Sequence, residues 1–138
     1  KYQRLLSNMQ TRNPLPVYFQ PETPKTYQHS FLTQYREQSL VKRAEEVALF
    51  SMEDDTVYLY TLRGEKFPMF KKLEYLESAC DPQQFFRIIR QMLVQRAAIT
   101  SFEPYFKRKI ILHLKFNHPE QVIVSRLKVT AFKEWLEH

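Results

Sequence analysis

The sequence predicts a folded, mainly β domain with two short helices. Aromatic residues make up 14% and hydrophobic residues 43% of the 138 positions, which is enough to fill a core and excludes a disordered or low-complexity chain. Most apolar segments are roughly four to eight residues long and lie between turn-forming residues, as strands do. Only two segments repeat their apolar residues at helical spacing.

The first 28 residues differ in kind from the rest. Four of the eight prolines, Pro14, Pro16, Pro21 and Pro24, fall within eleven residues. Proline lacks a backbone N–H and fixes φ, so this run disfavours both helix and sheet. A short helix is compatible with residues 2–10. We therefore predict a linker over residues 1–28 and a folded domain over residues 29–138.

The first half of the domain is predicted to form five strands and a helix. The strands are expected at 29–35, 38–42, 46–52, 56–62 and 65–69, separated by turns at 36–37, 53–55 and 63–64. In residues 57–60, the side chains on both faces of the predicted strand are apolar or amphipathic, which is compatible with burial on both faces. An amphipathic helix follows over 71–79, with Leu73 and Leu76 on its apolar face, and ends before Asp81 and Pro82.

The second half is predicted to be extended until a final helix. Strands are expected at 85–88, 91–95, 99–106, 109–116 and 121–124, the third of them broken at Pro104. Residues 109–116 alternate cleanly and predict a hairpin through 117–119. The last helix is predicted over 127–136, and its apolar stripe should pack on the sheet. That stripe consists of Leu127, Ala131, Phe132, Trp135 and Leu136.

Composition excludes several classes of function. The one glycine, Gly64, excludes glycine-rich nucleotide loops, and the one cysteine, Cys80, excludes an internal disulfide or a multi-cysteine zinc site. Cys80 follows an apolar helix and is predicted to be a core residue rather than a nucleophile. The histidines lack metal-ligand spacing. We expect a cytoplasmic protein that is not an enzyme and has no cofactor, metal or membrane span.

The net charge of +6 is unevenly distributed along the chain. Residues 1–43 carry +5 and residues 44–82 carry −5, whereas residues 83–128 hold nine basic and two acidic side chains. A basic block set among strands suits a face that binds a polyanion, because each neutralised phosphate releases counterions. A solvated basic surface explains the same charge equally well.

The segment DPQQFFRIIRQMLVQ, followed by EPYFKRKIILHLK and VIVSRLKVTAFKEWL, resembles the LytTR type of DNA-binding domain at the C-terminus of bacterial response regulators, in the version associated with Bacteroidetes. The order of parts matches over about residues 29–137, including a strand pair in FLTQYREQSLV, a helical turn in AEEVALFSME and a helix in LEYLESACDP. The resemblance implies an antiparallel multi-sheet β fold with one internal short helix and a C-terminal helix. Such domains bind DNA through loops and strand ends.

The resemblance also implies which side chains meet DNA. Base contacts are expected from Thr56, Arg90, Gln91 and Arg126, and phosphate contacts from Lys107, Arg108 and Lys128. A guanidinium can donate two parallel hydrogen bonds to guanine. Strand-end ion pairs for the arginines and plain solvation for the lysines are the alternatives.

Two departures from the family pattern affect these assignments. Ile89 stands where many members carry histidine, so no role of that histidine transfers to this chain. The acidic residues Asp54 and Asp55 next to Thr56 are poor neighbours for phosphate.

The resemblance implies sequence-specific binding of double-stranded DNA and transcriptional regulation, as the output domain of a two-component response regulator. The implied partners are promoter direct repeats, a receiver domain of the same full-length chain, and a second copy in a homodimer on DNA. The alternative function is a protein-interaction or regulatory β domain without a DNA target.

Overall fold

The computed structural model describes residues 26–138, which form ten strands and two α-helices. The strands are β1 Ser30–Tyr35, β2 Gln38–Arg43, β3 Val47–Glu53, β4 Thr56–Thr61, β5 Lys66–Met69, β6 Phe85–Ile89, β7 Met92–Gln95, β8 Ile99–Pro104, β9 Ile110–Leu114 and β10 Val122–Val124. The helices are α1 Leu73–Ala79 and α2 Val129–Glu137. The helix predicted over 2–10 and the four clustered prolines lie outside the described residues.

All pairings between these strands are antiparallel. A five-stranded sheet has the order β5-β4-β3-β7-β6, a three-stranded sheet has the order β10-β9-β8, and β1 pairs with β2 alone. The mainly β fold with an internal and a terminal helix is thus confirmed. The segment AEEVALFSME differs from the expected helical turn, because only Ala44–Glu46 is a 3-10 turn and β3 begins at Val47. The apolar run after Glu46 is better satisfied in the centre of a sheet than in a helix.

The five-stranded sheet separates two hydrophobic cores. Successive side chains of a strand point to opposite faces, and in β3 Phe50 enters the first core while its neighbour Leu49 enters the second. The first core includes residues of the β1–β2 hairpin and α1, and the second includes residues of the three-stranded sheet and α2. Burial on both faces explains why the alternation is weak in the sequence of β3 and β4.

Cys80 lies in the first core at the C-terminal end of α1, with a relative exposure of 1%. Burial, reinforced by the charge of Asp81, raises the pKa of its thiol to about 12. The thiol is therefore protonated at neutral pH and is a poor nucleophile.

The C-terminal helix is held on the sheets by Phe132 and Trp135. Phe132 is fully buried, with its ring centroid 5.6 Å from that of Phe86. The Trp135 indole N–H donates to the Pro82 carbonyl at 2.7 Å. Arg96 lies over the Trp135 ring and donates to the carbonyls of Trp135 and Leu136, which lie in the last turn of the helix.

The predicted apolar stripe of this helix was wrong at two positions. Residues 126–128 form a 3-10 turn and the α-helix begins at Val129, so Leu127 is out of helical register and 87% exposed. Ala131 is also exposed. Val129, at the start of the helix, packs on the second core together with Trp135 and Leu136.

Truncation of Phe132 and truncation of Leu127, both members of the predicted stripe, should therefore have very different effects on stability. We expect Phe132→Ala to lower the free energy of unfolding by about 3–5 kcal/mol, because it leaves a cavity between the sheets and α2. We expect Leu127→Ala to change it by less than about 0.5 kcal/mol. Urea unfolding of both variants measures the difference, and equal losses would contradict this placement of the helix.

Candidate nucleic-acid interface

Backbone hydrogen bonds tie the turn between β6 and β7 to the end of β3 and to the segment after β10. The turn carries Arg90 and Gln91, both exposed. The Met52 N–H, near the end of β3, donates to the Gln91 carbonyl at 2.8 Å. The Ser125 N–H, just after β10, donates to the Ile88 carbonyl at 3.0 Å. Residues 90–91 therefore lie beside both the β3–β4 turn and the chain leading into Arg126.

The turn between β8 and β9 lies at the same end of the molecule. In the three-stranded sheet Ile110 pairs with both Pro104 and Val124, so residues 105–109 project from the end at which β10 stops. The Lys109 N–H donates to the Phe106 carbonyl at 3.1 Å, and the two residues between them have φ of +55° and +65°. These angles are those of a type I′ hairpin turn. Its tip consists of Lys107 and Arg108, both exposed.

The β3–β4 turn has the same type I′ form but the opposite charge. Its central residues Asp54 and Asp55 have φ of +50° and +67° and are exposed. The preceding carboxylate, Glu53, is already engaged, because Lys66 donates to it at 2.9 Å and the Tyr60 hydroxyl at 2.7 Å. Burial opposes ionisation of Glu53, but these hydrogen bonds outweigh it and lower its pKa. Asp54 and Asp55 are therefore the exposed negative charges of this turn.

We call residues 54–56, 90–91, 105–109 and 125–128 the loop face. All seven residues predicted to meet DNA lie on it. Thr56 is half-buried, whereas Arg90, Gln91 and Arg126 are exposed. The basic side chains of the loop face outnumber its two aspartates; they are Arg90, Lys107, Arg108, Lys109, Arg126 and Lys128. The loop face is therefore positive and accessible.

The two predicted base-reading arginines are not occupied inside the domain. Within residues 26–138, no ion pair or side-chain hydrogen bond engages the guanidinium of Arg90 or Arg126. Both groups keep all their donors available, which argues against strand-end ion pairs. Lys128 differs, because its ammonium lies 6.0 Å from the centroid of the Phe86 ring.

Two further cations lie at this end of the molecule and were missed from the sequence. Met69, the last residue of β5, pairs with Val57 near the start of β4, so the chain leaves β5 beside the β3–β4 turn. The next residues include Lys71 and Lys72, both exposed. Both lysines belong to segment 44–82, whose net charge is negative, so the segment charges did not indicate them. The strand directions could have indicated them. β4 runs opposite to β3 and β5 runs opposite to β4, so β5 ends at the same edge of the sheet as β3.

Among residues 26–138, no three histidine, cysteine or acidic side chains are grouped so that they could hold a metal ion. No helix in this range is long and apolar enough to cross a membrane.

Comparison with known proteins agrees with the resemblance found in the sequence. Residues 37–137 match the family model of the LytTr DNA-binding domain. The fold is similar to the solved LytTr DNA-binding domain of a protein described as a methyl-accepting/DNA response regulator from Bacillus cereus, with a TM-score of 0.71 and 16% identity over 80% of this chain and 99% of that one. No match was found among curated proteins. Because the family model covers most of the sequence, the chain belongs to the LytTr family of DNA-binding domains.

Proposed function

We propose that this domain recognises a specific sequence in double-stranded DNA through the loop face. Membership of the family implies DNA binding and transcriptional regulation. The observation that carries the finer proposal is that four segments, from both sheets, lie at one end of the molecule and form one positive and exposed surface. Loops from different strands that are fixed relative to one another can follow the curved surface of a duplex.

The side chains of the loop face divide into two groups by chemistry. Arg90, Gln91 and Arg126 are exposed and can donate paired hydrogen bonds, so we assign them to base edges in the major groove. Lys107 and Arg108 are raised on a tight turn and suit phosphate contacts, which orient the domain without reading sequence. Lys128 belongs to the second group, and we add Lys71 and Lys72 to it.

Thr56 is the least exposed of the four proposed base contacts. Its side chain is half-buried, and it directly follows two exposed carboxylates. Phosphate would be repelled there, whereas an amino group of cytosine would not. We therefore propose that Thr56 meets a base edge rather than the DNA backbone.

We further propose that the domain is the output half of a cytoplasmic two-component response regulator. In this arrangement residues 1–28 are the linker from a receiver domain, in keeping with their proline content. Two copies would bind direct repeats in a promoter as a homodimer. Phosphorylation of the full-length regulator should then strengthen binding to a two-site promoter fragment more than to a one-site fragment.

A second candidate function is supported by an apolar patch on the β1–β2 hairpin. Leu32 and Val41 face each other across these strands and are 66% and 62% exposed. Contiguous exposed apolar patches can mark sites of protein interaction. In a protein-interaction or regulatory domain without a DNA target, this patch would be a partner contact, and the loop face would serve acidic partners or stay unused.

Replacing Arg126 by alanine should separate specific from nonspecific binding. We expect Arg126→Ala to weaken binding to a duplex selected from a random pool by about 1–3 kcal/mol, because bidentate contacts to guanine are lost. Its melting temperature should stay within a few degrees of the wild type. Binding is measured on the selected and on a random duplex between about 50 and 200 mM salt.

The matched control is Arg63→Ala, which removes the same charge from the β4–β5 turn at the opposite end of the sheet. It should leave the preference for the selected duplex intact. Absence of any preference in the wild type, or of a fall in affinity with salt, would refute the proposed function.

Neutralising the acidic turn should strengthen DNA binding. The variant Asp54→Asn with Asp55→Asn keeps side chains that tolerate positive φ and removes two negative charges from the loop face. We expect about threefold to tenfold tighter binding to a random duplex at about 50 mM salt, with a smaller gain at 200 mM.

The control for this variant is Glu45→Gln with Glu46→Gln, which makes the same charge change on the exposed 3-10 turn before β3. This turn lies at the opposite end of β3 from the loop face, so the control should alter the affinity for DNA much less. An equal gain in both variants would mean that only net charge matters and that the acidic turn is remote from DNA.

A further inference from the structure

The side chain of Arg87 links the β6–β7 turn to helix α1. Arg87 lies in β6, and its side chain is only 11% exposed. Its Nε donates to the Arg90 carbonyl at 3.1 Å, and its Nη2 donates to the same oxygen. On the other side, Nη1 donates to the Glu77 carboxylate at 2.9 Å and Nη2 lies 3.5 Å from the Glu74 carboxylate.

The turn needs this link because β6 is irregular where it ends. The register between β6 and β7 shifts between Arg87 and Ile89, which is the mark of a bulge. The carbonyls around a bulge must find donors outside the regular ladder. Ile88 accepts from the backbone N–H of Ser125 after β10, and Gln91 accepts from that of Met52 in β3. The Arg90 carbonyl finds its donor in a side chain.

Among these three ties, the one at Arg90 depends on residue identity. Backbone N–H groups of Met52 and Ser125 would be present in nearly any sequence, but the third tie requires a planar group with several donors. Arginine can serve one carbonyl and two carboxylates together because its five N–H donors are fixed in a fork. A lysine ammonium is a single point and cannot span the same acceptors.

We infer that Arg87 is a positioning residue for sequence recognition, and that Glu74 and Glu77 of α1 hold it in place. It does not touch DNA itself but fixes the backbone of Arg90 and Gln91. This inference rests on the proposed function of the loop face. It also assigns α1 a role as a brace, although α1 contributes no residue to the loop face.

The first test uses the free protein and no DNA. The conservative variant Arg87→Lys keeps the charge but loses the fork, so we expect NMR order parameters of the Arg90 and Gln91 amides to fall from about 0.85 toward 0.6. Amides in the centre of β3 should keep their values. Unchanged order in residues 90–91 would overturn the inference, whatever the protein binds.

The second test asks whether the lost order affects recognition. We expect Arg87→Lys to bind a selected duplex at least tenfold more weakly than the wild type, and a random duplex within about twofold, with the same salt slope. A loss of equal size on both duplexes would instead identify Arg87 as a phosphate contact. Wild-type affinity for the selected duplex would show that Arg87 does not position the turn.

A third variant leaves Arg87 and the loop face untouched. Glu74→Ala with Glu77→Ala removes two exposed acidic groups and makes the domain more positive, so binding to a random duplex should rise. If α1 braces the turn, binding to the selected duplex should fall by about fivefold or more. The matched variant Glu45→Ala with Glu46→Ala should not weaken binding to either duplex, and the same pattern in both double variants would contradict the brace.

The two proposals can fail separately. If the wild type shows no preference for any duplex, the proposed function fails, while the order-parameter measurement still decides whether Arg87 holds the turn. If the wild type is specific and Arg87→Lys is equally specific, the positioning role fails and the proposed function stands. If Arg87→Lys does not fold, the Glu74→Ala with Glu77→Ala variant tests the same positioning role, because its changes lie on an exposed helix face.

Discussion

Within the loop face, the placement of Arg90 and Gln91 depends on two backbone hydrogen bonds made by the β6–β7 turn. The Ile88 carbonyl accepts from Ser125 of the segment after β10, and the Gln91 carbonyl accepts from Met52 of β3. The first bond joins the five-stranded sheet to the segment after the three-stranded sheet, and the second extends the pairing of β3 with β7 into the turn. Both sheets also pack on the second hydrophobic core. The β6–β7 turn is thereby held against both β3 and the segment that leads into Arg126.

The loop face also shows how charge is placed on strained backbone. Asp54, Asp55, Lys107 and Arg108 all have positive φ, which asparagine and glycine adopt more easily. The charged residues thus occupy hairpin tips at some cost in stability. Such strain is often found at functional sites. The two hairpin tips carry opposite charges, so the surface can favour one placement of a polyanion over another.

Much of the fold followed from the sequence, since it depends on local periodicity. The clean alternation of residues 109–116 predicted β9, and the spacing of Leu73 and Leu76 predicted α1. The error at Leu127 arose because the helical pattern was extended through residues that form a 3-10 turn, where the period is three rather than 3.6.

The site was only partly predictable. The family pattern indicated which residues should meet DNA, but their juxtaposition depends on bonds between distant segments, such as Ser125 to Ile88. Arg87 was missed for the same reason, whereas Lys71 and Lys72 were hidden by the net negative charge of segment 44–82. Periodicity describes one strand at a time, whereas the strand order of the sheets decides which turns become neighbours. Segments 44–82 and 83–128 carry opposite net charges, yet both contribute residues to the loop face.

We expect DNA to bind where the segments of the loop face meet. This is tested most directly by following backbone amide NMR shifts while a selected duplex is added to the labelled domain. We expect the largest changes on residues 54–56, 90–91, 105–109 and 125–128, with smaller changes on residues 71–72. Changes centred on the β1–β2 hairpin or on residues 115–120 at the opposite end of β9, with the loop face unchanged, would contradict it.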